Sequence, residues 1–182
     1  MAKLISKTYG DALFELALSK DVLKDIWDEV ISVGQIWKDN ADLESLMEHP
    51  RIDIEEKVQL IKNIFEGRVS DIMTGFLVTV LEKGRASELE NIFDYFTDRA
   101  REYYNIGVAY VTSAVELNDS QKKQIEKRLV EVTKYVEFVM NYSVEPELIG
   151  GMIIRIGDRV MDNSIKNKLN TLSRTLTGIQ LN

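Results

Sequence analysis

The sequence predicts a mainly α-helical chain with a smaller α+β part: a six-helix bundle over residues 1–105, then a small sheet with helices over 106–182. Three observations carry that expectation. Through the first 105 residues apolar side chains recur at i, i+4, i+7 and i+8, the spacing of one helical face. After Gly107 that period gives way to β-branched runs and, from Val136 to Val144, to alternation with period two. Charge shifts at the same place. Residues 1–105 hold 13 Lys and Arg against 21 Asp and Glu, a net of −8, whereas 106–182 hold 10 against 9, a net of +1.

In order along the chain, the first helix carries Ile5, Tyr9, Ala12, Leu13, Leu16 and Ala17 on one face. Asp21 is the expected cap of a second, with Val22, Ile26, Val30, Val33 and Trp37 as its stripe. A short third helix with Leu43, Leu46 and Met47 should end at His49-Pro50. Asp53 with Glu56 resembles a capping box opening a fourth, through Val58, Ile61 and Phe65, which Gly67 closes. Ser70 can cap the fifth helix, and Gly84 can end it in the left-handed conformation. That fifth helix is apolar nearly all round: Ile72, Met73, Phe76, Leu77, Val78, Val80 and Leu81. Such a helix is buried on several sides or waits for a partner. A sixth carries Leu89, Ile92, Phe93, Phe96, Ala100 and Tyr103, with Gly107 at its exit.

The second half reads as a strand over Val108–Val115, a helix capped by Asn118 and Gln121, and a strand over Val136–Val144. Another strand follows at Met152–Ile156. Gly157-Asp158 is a hairpin signal that returns the chain through Arg159, Val160 and Met161. A last helix carries Ile165, Leu169, Leu172 and Leu176, so that the small sheet should lie between two helices. Asp162 or Asn163 is expected to cap that helix.

Composition removes much chemistry. Zero cysteines exclude disulfides, thiolate catalysis and cysteine-held metals. The single histidine, His49, cannot build a multi-histidine site and sits at a helix end, where it can serve the helix terminus. The acidic first half argues against nucleic acid, and the near-neutral second half lacks stacking aromatics on a basic face. The N-terminus lacks the apolar core of a signal peptide, and the most apolar stretch, Ile72–Leu81, is about half a membrane span. A soluble protein is expected, held at a membrane only through other subunits if it works there.

Few motifs remain. Gly150-Gly151 runs into a strand and lacks the Gly-Lys-Ser/Thr ending of a phosphate loop, so backbone geometry explains it better. Asp158, Asp162 and Asn163 form the one cluster worth testing for magnesium, and turn and cap roles explain each more simply. Tyr9, Ala12, Leu13 and Leu16 read first as core. The apolar excess of the fifth helix nevertheless makes a groove between the first and fifth helices a reasonable hypothesis, one that would take a partner helix. Lys166, Lys168 and Arg174 either form a basic contact face or simply complement the last helix's dipole.

The segment Leu148–Leu176, LIGGMIIRIGDRVMDNSIKNKLNTLSRTL, resembles the C-terminal signature of the ATP synthase delta subunit family, which includes the mitochondrial oligomycin sensitivity-conferring protein. The likeness falls on Gly150, Gly151, Ile154, Ile156, Gly157, Asp158, Asp162, Ser164, Ile165, Leu169 and Leu172. KTYGDALFELA near the start resembles the family's first helix, and FLVTVLEKGRASELENIFDYF resembles its Gly-Arg turn. Gly10, where the family often has alanine, is a mild departure, and it should weaken the first helix slightly.

The resemblance implies a peripheral-stalk subunit with no catalytic activity and no cofactor. By that implication residues 1–105 grip the N-terminal helix of an alpha subunit in a groove around Tyr9, Ala12, Leu13, Leu16, Phe76, Leu77 and Val80. Residues 106–182 would meet the C-terminal region of the b-subunit stalk. The subunit would act as a monomer within the complex, on the cytoplasmic face of the plasma membrane, holding the head while proton-driven rotation makes ATP. A magnesium-dependent enzyme using Asp158 and Asp162, and a helical scaffold of some other complex, are the alternatives.

Overall fold

A computed structural model describes residues 2–49 and 51–179. Pro50 and the side chain of Leu176 lie outside what is described. The chain divides into two compact units, Met1–Arg101 and Glu102–Asn182, each with its own core. No described helix is long and apolar enough to cross a membrane.

The first unit is built from α1 (Ala2–Ser19), α2 (Leu23–Asp39), α3 (Ala41–Glu48), α4 (Ile54–Phe65), α5 (Asp71–Glu82) and α6 (Leu89–Tyr103), the last running just past the division. Leu13, Ile26, Val30, Val33, Ile61, Phe65, Met73, Leu77, Val80, Leu89, Ile92 and Phe96 fill its core. Phe14 meets Phe96 edge to face, ring centroids 6.2 Å apart.

The turns explain which helix ends the sequence marks correctly. Asp21 does not cap α2. It takes φ +56° and closes α1, with the Val22 N–H donating to Ala17 O and the Asp21 N–H to Leu18 O. That is the Schellman pattern, in which Asp tolerates the left-handed conformation. Gly84 ends α5 the same way, at φ +64°, with Arg85 N–H donating to Val80 O. Ser70 caps α5, its hydroxyl oxygen accepting from Met73 N–H at 3.2 Å, while Glu29 of α2 accepts from both the Ser70 N–H and its hydroxyl. The Asp53–Glu56 capping box does not form: Asp53 occupies the N-cap position, but its side chain accepts no capping bond.

Gly10 has a packing reason. A Cβ there would stand 2.5 Å from the Tyr95 ring of α6, whose hydroxyl donates to Asp11 at 2.9 Å. The helix propensity given up at Gly10 is exchanged for seating α6 on α1.

The second unit holds β1 (Ile106–Ser113), α7 (Asp119–Val132), β2 (Glu137–Val144), β3 (Met152–Ile156), β4 (Arg159–Asp162) and α8 (Ile165–Ile179). The strand order is β2-β1-β3-β4; β1 and β2 are parallel, joined through α7, and the remaining pairs are antiparallel. Asn118 and Gln121 form a full capping box at α7. The core cluster is Ala109, Leu129 and Phe138, packed by Ile125, Tyr135, Met140, Ile154 and Ile156, so α7 covers one sheet face. Gly107 does not mark the exit of α6. Asn105, at φ +55°, turns the chain there, and Gly107 lies inside β1, where a Cβ would strike the Phe138 ring.

The expectation of a sheet between two helices needs correcting. α8 packs chiefly against the turn at Pro146–Leu148, and Ile165, Leu169 and Leu172 are 42%, 52% and 59% exposed.

Candidate functional site

The two places singled out by sequence are built differently. Around α8 the signature residues form a joint between the start of β3 and the start of the helix. Ile165 N–H donates to Gly150 O at 2.9 Å and Asn163 N–H to Met152 O at 3.0 Å. A Cβ on Gly150 would press on Ile165 at 2.6 Å. Gly151, at φ +77°, would drive a Cβ into the Asn163 carbonyl. Only glycine allows that approach.

The cap of α8 is Ser164, not Asp162 or Asn163. Its hydroxyl oxygen accepts from Asn167 N–H at 3.1 Å, and it is almost fully buried. Asp162 acts one step earlier, accepting from the Ser164 N–H at 2.9 Å. Hydrogen bonds from the Ser164 hydroxyl and then its backbone N–H hold the Asp162 carboxyl below the usual aspartate range. Gly157, at φ +56°, and Asp158 make the two-residue link from β3 to β4, where Ile156 pairs Arg159. Among the described residues no three His, Cys, Asp or Glu side chains converge where a metal could sit. Asp162 thus has structural work at the start of α8, and Asp158 takes its place in the link between β3 and β4.

The first unit offers a groove. Tyr9, Ala12, Leu13 and Leu16 of α1 face Ile72, Gly75, Phe76 and Thr79 of α5 across a space of about 680 Å³, with Thr8, Lys20 and Asp71 also lining it. On each helix the first-named four stand at i, i+3, i+4 and i+7, the diamond that receives one side chain of a packed helix. Ala12, Leu16, Gly75 and Thr79 are open to solvent, while Tyr9, Ile72 and Phe76 are half-buried. By contrast, a cleft of about 190 Å³ between α2 and α6 is bridged by Lys38, 2.9 Å from Glu90. The groove's apolar walls with charges only toward its margins are suited to an amphipathic helix, not to a polar small molecule.

Five of the seven groove residues named from the sequence are brought together there: Tyr9, Ala12, Leu13, Leu16 and Phe76. Leu77 and Val80 are not. Both are 0% exposed, on the side of α5 that faces the core with Met73. Ile72, Gly75 and Thr79 line the groove with Phe76 instead, the four standing at i, i+3, i+4 and i+7 on one face of α5.

The family model described as "ATP synthase delta (OSCP) subunit" matches residues 5–176. The chain belongs to the ATP synthase delta (OSCP) subunit family. An ATP synthase subunit delta of Lachnoclostridium phytofermentans is 55% identical over 181 residues, covering 100% of both chains. One of Desulfitobacterium hafniense is 36% identical, covering 95% of this chain and 96% of that one. A chain of a Toxoplasma gondii mitochondrial ATP synthase hexamer shares the fold, with a TM-score of 0.69 at 16% identity over 94% of this chain and 97% of that one. As a delta (OSCP) subunit the protein is a non-catalytic component of the peripheral stalk of F-type ATP synthase. It associates with other subunits of that complex and, through them, peripherally with the membrane.

Proposed function

We propose that this subunit is a two-ended adaptor. Residues 1–105 take the N-terminal helix of an alpha subunit into the α1/α5 groove, and residues 106–182 present α8 to the C-terminal region of the b-subunit stalk. As a monomer within the complex, on the cytoplasmic face of the plasma membrane, it keeps the head from turning with the rotor.

The observation that carries this reading is the groove between the paired diamonds of α1 and α5, walled by Tyr9, Leu13, Leu16, Ile72 and Phe76 and unfilled by any segment of the described chain. Each diamond has the geometry that receives one side chain of a packed helix, and the groove between them suits a helix that lays down its i, i+3, i+4 and i+7 face. The exposed stripe of α8, flanked by Lys166, Lys168 and Arg174, supports a second contact with a helix carrying acidic margins. A protein that transmits load without reacting needs two such faces.

Titration of the full chain with a synthetic peptide of the alpha-subunit N-terminal segment tests the first contact. Phe76→Asp and Tyr9→Asp should each weaken binding by roughly 30-fold or more, the loss of an apolar anchor residue, with the peptide becoming helical only on the unaltered protein. Unchanged affinity in both variants would refute the groove assignment.

A further inference from the structure

Gly75 stands at the middle of α5, a helix otherwise made of good packing residues, and it is exposed on the groove. Nothing in the fold asks for glycine there. Its φ is not in the left-handed region, and a Cβ built on it would meet no atom within 4 Å. Alanine in a helix interior is the better choice on both entropy and propensity. The other glycines from Gly10 to Gly157 sit at positive φ or lie against a side chain or backbone that a Cβ would touch, such as Tyr95 at Gly10 and Phe93 at Gly34. Gly75 alone among them has ordinary helical φ and empty space beside it.

The position within the diamond explains what the empty space is for. Phe76 and Ile72 rise from α5 on the side nearer the core, and Gly75 lies on the outward side of the same four residues, level with Thr79. The Thr79 hydroxyl is drawn back onto the Gly75 carbonyl at 2.8 Å, which spends its donor within α5. On the facing helix Ala12 holds the equivalent i+3 corner and is also small and exposed. Both outer corners of the groove are thereby low.

We propose that Gly75 is the specificity-determining residue of the groove, the point at which the docked alpha-subunit helix crosses α5 in backbone contact. Small residues at a crossing let two helices approach closely, and a larger side chain lifts one helix off the other along its whole length. The inference rests on the groove reading above. It adds that affinity is set by what is missing at position 75 as well as by the apolar side chains around it.

Two measurements on the full chain test it: affinity for the alpha-subunit N-terminal peptide by calorimetry, and Tm. Gly75→Ala should raise Tm yet weaken the peptide several-fold, and Gly75→Leu should weaken it by about tenfold or more, a usual size for a steric clash in a packed interface. Gly34→Ala, on α2 outside the groove, should leave affinity unchanged and so serves as the control. Phe76→Asp separates the groove from the crossing point. If it abolishes binding while Gly75→Leu binds like the parent, the Gly75 assignment is wrong and the groove stands. If Phe76→Asp has no effect, or the parent chain does not bind the peptide, the groove reading fails and this inference with it. A lower Tm for Gly75→Ala would show that the fold itself requires the glycine, and would also overturn the proposal.

Discussion

At the scale of single residues, Asp162 and Ser164 show how a signature earns its place without reacting with anything. Asp162 is held ionised by two hydrogen bonds from Ser164, whose hydroxyl in turn caps α8. A carboxyl whose folded pKa is depressed contributes stability that is full above its unfolded value and is lost as pH falls through the folded one. The start of α8 should therefore loosen as pH drops below about 4, and amide exchange at Ser164 and Asn167 should rise there. Asp162→Asn should flatten that dependence. Equal protection of these amides at pH 3 and pH 6 would remove the carboxylate's role. The cation side of the same helix, Lys166 with Glu147 at 3.2 Å, is an exposed pair and adds little.

At the scale of elements, α8 makes the sharpest prediction. Its Leu169 and Leu172 are more than half exposed, so neither holds the fold together. Leu169→Asp with Leu172→Asp should leave Tm nearly unchanged and abolish binding to a fragment from the distal end of the b stalk; a large drop in Tm would instead mean that the stripe belongs to the core. The sequence describes this stripe correctly and its destination wrongly, because an amphipathic helix looks the same whether it covers its own sheet or another protein. The error at Leu77 and Val80 has a related cause. α5 is apolar nearly all round, so periodicity offers no phase from which to tell its open face from its buried one, and only the neighbours of α5 decide. Asp21 misleads because aspartate suits both a helix start and a left-handed helix end. Where chemistry is local and unambiguous, sequence and structure agree: Ser70, Gly84, the Asn118–Gln121 box and the Gly157-Asp158 hairpin all do what their residue types dictate. The apolar excess of the fifth helix and the family resemblance both suggest the groove, and which α5 residues border it follows only once the phase of α5 is known.

At the scale of the whole molecule, two units with separate cores should respond separately to damage. Gly151→Ala combines a strained φ with a clash against the Asn163 carbonyl and should destabilise the second unit by about 2–4 kcal/mol. Hydrogen exchange should then accelerate across β3, β4 and α8 while amides of α1, α2 and α5 keep their protection. Parallel acceleration in both units would mean that they unfold as one. The charge division falls close to the same place, the first 105 residues carrying a net −8 and the rest a net +1.

The joint between Gly150, Met152, Asn163 and Ile165 has a mechanical consequence. α8 runs fifteen residues, roughly 22 Å at 1.5 Å per residue, from a base held by two backbone hydrogen bonds. It is a cantilever. Any sideways force applied along it produces its greatest bending moment at the base, which is where Gly151 lies against the Asn163 backbone and Gly150 against the Ile165 side chain. A stalk that seizes α8 far from Ser164 would thus load Gly150 and Gly151 hardest, and wear of the coupling would begin at the hinge before it reached the grip.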